Sequence, residues 1–128
     1  MSNPISNYLG VHGAALPLRE QRMQLIASNL SNADTPNYKA KDLDFQAALE
    51  NAAAKAAPLR TTNELHLNLL DATPRIFERA GVQPSLDGNT VDADTERAAY
   101  GRAALEYRAS LSFIESKVRT MLAAITGQ

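Results

Sequence analysis

The chain has 128 residues, a net charge of −1 and no cysteine. That is one domain's worth of material, and it excludes disulfides and thiolate metal sites. Apolar residues make up 45% but aromatics only 5%, with no Trp, so an elongated Ala- and Leu-rich helical packing fits better than a compact core. The basic clusters Lys39 with Lys41 and Arg97 with Arg102 both have acidic neighbours, so they read as solvated surface rather than as a nucleic-acid face.

The opening residues lack a basic start and a continuous apolar core, so no cleavable signal peptide is expected. No segment approaches the roughly 20 apolar residues needed to span a bilayer. The expected location is therefore the cytosol, or a compartment reached by a route that reads no cleaved signal. The first helix is predicted over 4–32. Pro17 interrupts it by removing the bond to the Gly13 carbonyl, at about 3 kcal/mol in a helix interior. The expectation is a kink at Gly13–Pro17, or a separate softer segment over 3–15, with a firm helix over 16–30. The helix ends at Ser31-Asn32-Ala33-Asp34-Thr35-Pro36, where Asn, Asp and Ser compete for backbone hydrogen bonds and Pro36 disfavours helical angles at Thr35. A turn follows at Pro36-Asn37, and Asn tolerates positive φ.

A short helix is predicted over 42–57, capped by Asp42 or Asp44 and favoured by its alanines, with Pro58 as its stop. Residues 59–91 carry no clear period. Leu65, Leu67 and Leu69 alternate with polar residues like a short strand, and Asp87-Gly88 is a turn signal. The stretch reads as loops with a small hairpin, or as a segment ordered only on assembly. The last helix is predicted from Asp94 or Thr95 as N-cap to about Thr126, with Glu96 in its first turn and Gly127 following. Arg102–Glu106 and Glu115–Arg119 are i,i+4 pairs worth a few tenths of a kcal/mol each.

At both ends the apolar residues step by three and four, a period of 3.5 that suits a helix packed on another helix. The C-terminal run is Tyr100, Ala104, Tyr107, Leu111, Ile114, Val118, Met121 and Ile125. The N-terminal run is Ile5, Leu9, His12, Leu16, Arg19, Met23, Ile26 and Leu30, and it is weakened by its two polar members. The expected fold is mainly α. The long N- and C-terminal helices pair as an antiparallel coiled-coil-like hairpin, and a loop-rich middle contains the short helix and the hairpin. The division is an N-terminal assembly helix over 1–33, a middle segment over 34–93 and a C-terminal assembly helix over 94–128, with the two ends forming one structural domain. A long narrow pair buries only part of what it presents, which suggests an assembly protein rather than an enzyme.

Catalytic and metal chemistry find no support in the sequence. His12 lies on the N-terminal seam, and His66 stands between Glu64 and Asp71 without a Ser- or Cys-centred partner. A metal site needs more ligands than His66 and scattered carboxylates. The run from Asp87 to Asp94 imitates a calcium loop but fails on position: its sixth residue is Asp92 rather than Gly, and its twelfth is Ala98 rather than Glu. No glycine cluster forms a phosphate cradle, and the Asn29-Leu30-Ser31 sequon falls inside a predicted helix. No cofactor is expected.

The segment Ile26-Ala27-Ser28-Asn29-Leu30-Ser31-Asn32-Ala33-Asp34-Thr35-Pro36-Asn37-Tyr38-Lys39-Ala40 closely resembles the motif of bacterial flagellar rod and hook proteins. The family's Gly in Thr-Pro-Gly-Tyr-Lys is Asn37 here, the residue next most willing to take a left-handed conformation. Its matching positions are Asn29, Asn32, Thr35, Pro36, Asn37, Tyr38 and Lys39. A second stretch, Pro84, Ser85, Leu86, Asp87, Gly88, Asn89, Thr90, Val91 and Asp92, is similar to the proximal rod subtype of that family. Thr62 with His66-Leu67 resembles a weaker recurring piece.

The resemblance implies a structural subunit whose terminal helices stack into a tubular array in the periplasm and transmit motor torque. It further implies export through the flagellar type III apparatus without a cleaved signal. The implied partners are other copies of the chain, other rod subunits, and the membrane-ring and adaptor proteins at the rod base. Neither nucleic acid nor direct membrane insertion is implied. Phe45 and Leu49, within Asp44-Phe45-Gln46-Ala47-Ala48-Leu49, resemble the Phe-x-x-x-apolar motif that engages the export gate. A soluble helical binding module or secretion chaperone stays open as the alternative.

Overall fold

The computed structural model describes residues 4–56, 74–81 and 85–127. In chain order these form α1 (Pro4–Ser31), β1 (Lys41–Leu43), α2 (Phe45–Ala56), β2 (Ile76–Glu78) and α3 (Ala93–Thr126). The fold is mainly helical, as its long apolar periods predict. The Leu65–Leu69 alternation, His66, Pro58 and Pro84 lie outside the described residues.

α1 and α3 run antiparallel in strict register. As the α1 partner advances from Tyr8 to His12, Arg19 and Asn29, the α3 partner retreats by equal steps from Lys117 to Phe113, Glu106 and Glu96. The contacts are Tyr8 Oη donating to the Lys117 carbonyl at 3.1 Å, His12 stacked on Phe113 with centroids 4.7 Å apart, Arg19 paired with Glu106 at 2.8 Å, and Asn29 donating to Glu96 at 3.3 Å. The 34 residues of α3 span about 50 Å at 1.5 Å per residue, so this register orients the whole molecule.

The break in α1 falls at Gly10, with φ 59° and ψ −143°, and the helix continues through Pro17. This corrects the expected kink at Gly13–Pro17. A proline inside a helix loses one hydrogen bond, whereas the conformation at Gly10 is open only to a residue without a Cβ.

The short helix also differs from expectation. Asp42 caps nothing; it lies buried in β1, where its carboxylate takes Arg22 at 3.1 Å and the Leu43 amide at 2.8 Å. Asp44 caps α2 by accepting from Ala47 N at 3.1 Å. The paired strands are not chain neighbours, since α2 stands between them. β1 and β2 are antiparallel with Lys41 opposite Glu78 and Leu43 opposite Ile76. Leu18, Leu43 and Ala48 form the main apolar cluster, joined by Leu25, Phe45 and Leu49.

α3 begins two or three residues earlier than predicted. Asp92 is its N-cap, accepting from Asp94 N at 3.0 Å and Thr95 N at 3.3 Å, and Gly127 closes it in the left-handed conformation at φ 73°. Arg102 meets Glu106 at 3.2 Å. Glu115 and Arg119 form no ion pair among the described residues.

Candidate functional site

The two motifs singled out in the sequence lie side by side, where α1 leaves the helix pair and α3 enters it. α1 unwinds through bonds from Asn32 N to the Asn29 carbonyl at 3.0 Å and from Thr35 N to the Asn32 carbonyl at 3.0 Å. Pro36 and Asn37 turn the chain on an exposed surface, with Asn37 at φ 61°. The following segment, residues 37–40, then runs beside residues 85–92. Asn37 N donates to the Asp87 carbonyl at 2.9 Å, Thr90 N to the Tyr38 carbonyl at 3.0 Å, and Ala40 N to Thr90 Oγ1 at 2.8 Å. Lys39 reaches across to the Gly88 carbonyl at 2.6 Å.

Asn89 ties this unit to the end of α1. Its buried amide nitrogen lies 2.9, 2.8 and 2.9 Å from the carbonyls of Asn32, Ala33 and Thr35. These carbonyls lie in the turn just past the last helical residue, Ser31, so a side chain from a segment more than fifty residues on ties down the exit of α1. Its Oδ1 accepts from Val91 N at 2.8 Å, an Asx turn that fixes the local path of the chain leading to α3. Gly88 allows the close approach: at φ 74°, an added Cβ would stand 2.6 Å from Asn37 Oδ1.

Asn29 is the second node, and it is fully buried. Its Nδ2 donates to the Lys41 carbonyl at 2.8 Å and to Glu96 Oε2 at 3.3 Å, while its Oδ1 accepts from Lys41 N at 2.9 Å and Tyr38 Oη at 3.3 Å. Both donors and both lone pairs are therefore used. Glu96 is equally buried, and its other oxygen takes Arg79, whose backbone N donates to the Ala40 carbonyl at 2.7 Å. A buried carboxylate is tolerable only when paired and hydrogen-bonded. One four-way junction thus fixes the end of α1, the start of β1, the segment just past β2 and the first turn of α3.

The exposed carboxylates at the edge of the unit are electrostatically settled. The Asn89 amide holds Asp87 below the usual carboxylate range, helped by Ser85 and by the charge of Lys39. The Thr95 amide does the same for Asp92, with help from the Thr95 hydroxyl and the Asp94 amide. Among the described residues no group of three His, Cys, Asp or Glu is arranged to hold a metal, and no helix is long and apolar enough to cross a membrane.

The comparisons with known proteins fall on this same frame. A family model described as flagella basal body rod protein matches residues 9–39, the stretch from near the start of α1 to Lys39. The chain is 42% identical over 122 residues to the flagellar basal body rod protein FlgB of Aeromonas hydrophila, covering 93% of this chain and 92% of that protein. The chain belongs to the flagellar basal body rod protein family. The FlgB proteins of Cereibacter sphaeroides, 41% identical over 122 residues with 94% of each chain covered, and of Escherichia coli K12, 39% identical over 117 residues with 84% and 85% covered, agree with this.

In this rod protein the junction brings together Asn29, Asn32, Thr35, Asn37, Tyr38 and Lys39 from one motif with Ser85, Asp87, Gly88, Asn89, Thr90 and Asp92 from the other. Leu86 stands fully exposed at the tip of the Ser85–Gly88 turn. Of the seam residues, Ile26 is buried; Leu16, Met23, Leu30, Ala104, Tyr107, Leu111, Ile114 and Met121 are half-buried; Val118 and Ile125 are exposed. The face of α3 turned to α1 is centred on Glu96, Ala103 and Ser110, so the apolar run lies on the flank of that contact. Phe45 and Leu49 sit half-buried at the apolar cluster, with the Arg19 guanidinium 5.3 Å from the Phe45 ring centre. Sequence reasoning missed Arg79, which has no local pattern of its own and gains a role only from the burial of Glu96.

Proposed function

We propose that this chain is the proximal rod subunit of the bacterial flagellum, stacking through its terminal helices into the tubular array that carries motor torque. The observation that carries the reading is the joint of the two motifs. Residues 29–39 and 85–92 are one hydrogen-bonded unit, and it fixes the angle at which a long helix pair leaves the body of the molecule. A subunit that passes torque to its neighbours needs that angle held. The apolar flank supports the same reading. Tyr100, Leu105, Val118, Leu122 and Ile125 are exposed along one helix, with Leu105 at 70% and Ile125 at 74%. Val118, Leu122 and Ile125 share one face over two turns near its end; exposed apolar surface of this kind marks an interaction site, and helices of the next subunits fit it.

The periplasmic location and the partners belong to this proposal: other copies, other rod subunits, and the ring and adaptor proteins at the base. So does export through the type III apparatus. Phe45 and Leu49 are half-buried against the core in the folded chain, so a gate that reads them reads the unfolded chain.

The test is fractionation. Washed basal bodies from the source cell should contain this chain in the rod, and deletion of its gene should remove rods. Leu111→Asp or Ile114→Asp should prevent incorporation. Recovery of the protein only as a soluble cytosolic oligomer, or full motility with Ile114→Asp, would refute the reading.

A further inference from the structure

α1 carries two glycines three residues apart, and the structure uses them for different purposes. Gly10 adopts φ 59° and ψ −143°, the mirror image of a polyproline-II residue, which an L side chain opposes and a D side chain would favour. Gly13 supplies room, since an added Cβ there would stand 2.8 Å from the Leu9 Cβ. In a continuous helix residues four apart keep their Cβ atoms roughly 5–6 Å apart. A straight α1 would need neither glycine, and both weaken it as a helix. The bent arm is also held from outside. A helix break frees the carbonyls before it. Lys117 takes one of these, donating to the Tyr8 carbonyl at 3.0 Å, while Tyr8 Oη donates to the Lys117 carbonyl at 3.1 Å. The ammonium lies 5.6 Å from the Tyr8 ring centre. In a straight helix the Tyr8 carbonyl would bond to His12 N, so the clasp and the straight helix compete for one acceptor.

We propose that Gly10 is a hinge with two states, a bent one in which the N-terminal arm is clasped on α3 by Tyr8 and Lys117, and a straight one in which α1 is continuous and the clasp is open. The clasp is exposed and polar, so a competing surface can open it. The consequence for assembly rests on the rod-subunit reading: the bent arm occupies α3 beside Lys117, and straightening frees that stretch for a second copy of the chain.

The chain has no native cysteine, so spin labels at Ser6→Cys and Thr120→Cys report the arm alone. Pulsed electron resonance on the isolated protein should give one short-distance population. Gly10→Ala should lose it, and D-alanine at position 10, introduced by ligation at Ala14, should keep it. If Gly10→Ala reproduces the wild-type distances, or D-alanine loses them, the hinge is overturned. Should Gly10→Ala lose its circular-dichroism helicity, Lys117→Met decides: depletion of the short population supports the clasp, and an unchanged distribution overturns it. Sedimentation velocity then reads the gating. Gly10→Ala should self-associate at lower concentration than wild type, and equal self-association with a straightened arm overturns the gating. Basal-body fractionation tests the rod reading separately, so failure of one is distinguishable from failure of the other.

Discussion

Asn89→Ala removes the side chain that joins the two motifs, and its cost can be worked from the contacts. The amide donates two N–H groups to three carbonyls at the end of α1, and its oxygen accepts from Val91 N. Three hydrogen bonds' worth of interaction is lost, at a net value of about 0.5–1.5 kcal/mol each. The released acceptors are not all buried. Thr35 is exposed, and Asn32 and Ala33 are half-buried, so water recovers part of the loss. The expected destabilisation is about 2–3 kcal/mol. Asn89→Asp separates donor chemistry from shape. It keeps the acceptor for Val91 but sets a carboxylate against three carbonyls, so it should cost more than alanine. Urea unfolding of the purified chain, followed by far-ultraviolet circular dichroism, gives both numbers from the shift in midpoint. A cost for Asn89→Ala within about 0.5 kcal/mol, the range of an ordinary surface substitution, would refute the reasoning. So would an Asn89→Asp chain as stable as Asn89→Ala.

The remaining perturbations act on neighbouring parts of the junction. Glu96→Ala strands Arg79 and one Asn29 N–H, and should cost about 3 kcal/mol, the low end for a broken buried pair, because Arg79 is part-exposed; Glu96→Gln, which still offers an acceptor, should cost less in the same melts. Gly88→Ala forces an L side chain to φ 74° with its Cβ 2.6 Å from Asn37 Oδ1, at about 1–3 kcal/mol, and adding Asn37→Gly should recover the contact part of that loss in the same urea series. Asp87 and Asp92 are held below the ordinary carboxylate value in the folded chain. The unfolded chain therefore binds more protons in acid, so their contribution is present above the unfolded value and is lost as pH falls through the folded one. Asp92→Asn should flatten the fall in urea midpoint between about pH 5 and pH 3, and an unchanged slope would remove the cap from the account.

The long helices and their ends were legible because each has a local cause. A 3.5 period runs through 100–125, Pro36 stops helical angles at Thr35, and Gly127 takes the left-handed close. The two-stranded sheet was not legible. Its strands are three residues long and show no alternation: β1 is buried at two successive positions and β2 is exposed at all three. They exist because Asp44 N finds the Arg75 carbonyl at 3.0 Å and Arg79 N the Ala40 carbonyl at 2.7 Å, across a gap in sequence that holds α2. The break in α1 was misplaced because Pro17 is the louder local signal, while Gly10 matters through a backbone angle that composition does not encode. The motif residues themselves could be found by their chemistry. Asn at two successive helical turns, then Thr-Pro-Asn, is a poor helix interior and a good exit.

The buried set also bears on how such a chain is specified. Four of its apolar members beyond Leu18, Ile26 and Leu43 are alanines, Ala15, Ala40, Ala48 and Ala103, and Asn29, Asp42, Asn89, Glu96 and Ser110 are buried beside them. Alanine burial contributes little area, so the hydrophobic term is modest, and it is also indifferent to small rotations of one helix on another. The hydrogen bonds are not. Asn29 is satisfied at all four of its positions only when Lys41, Tyr38 and Glu96 arrive together, and a partly satisfied buried network is worse than none. The orientation of the two helices is therefore set by bonds that fail outside one geometry, while the larger apolar side chains, Leu105, Leu122 and Ile125, are left on the outer surface of α3. A chain built this way defines the direction of its helices before assembly and keeps much of its apolar burial for contacts with neighbours.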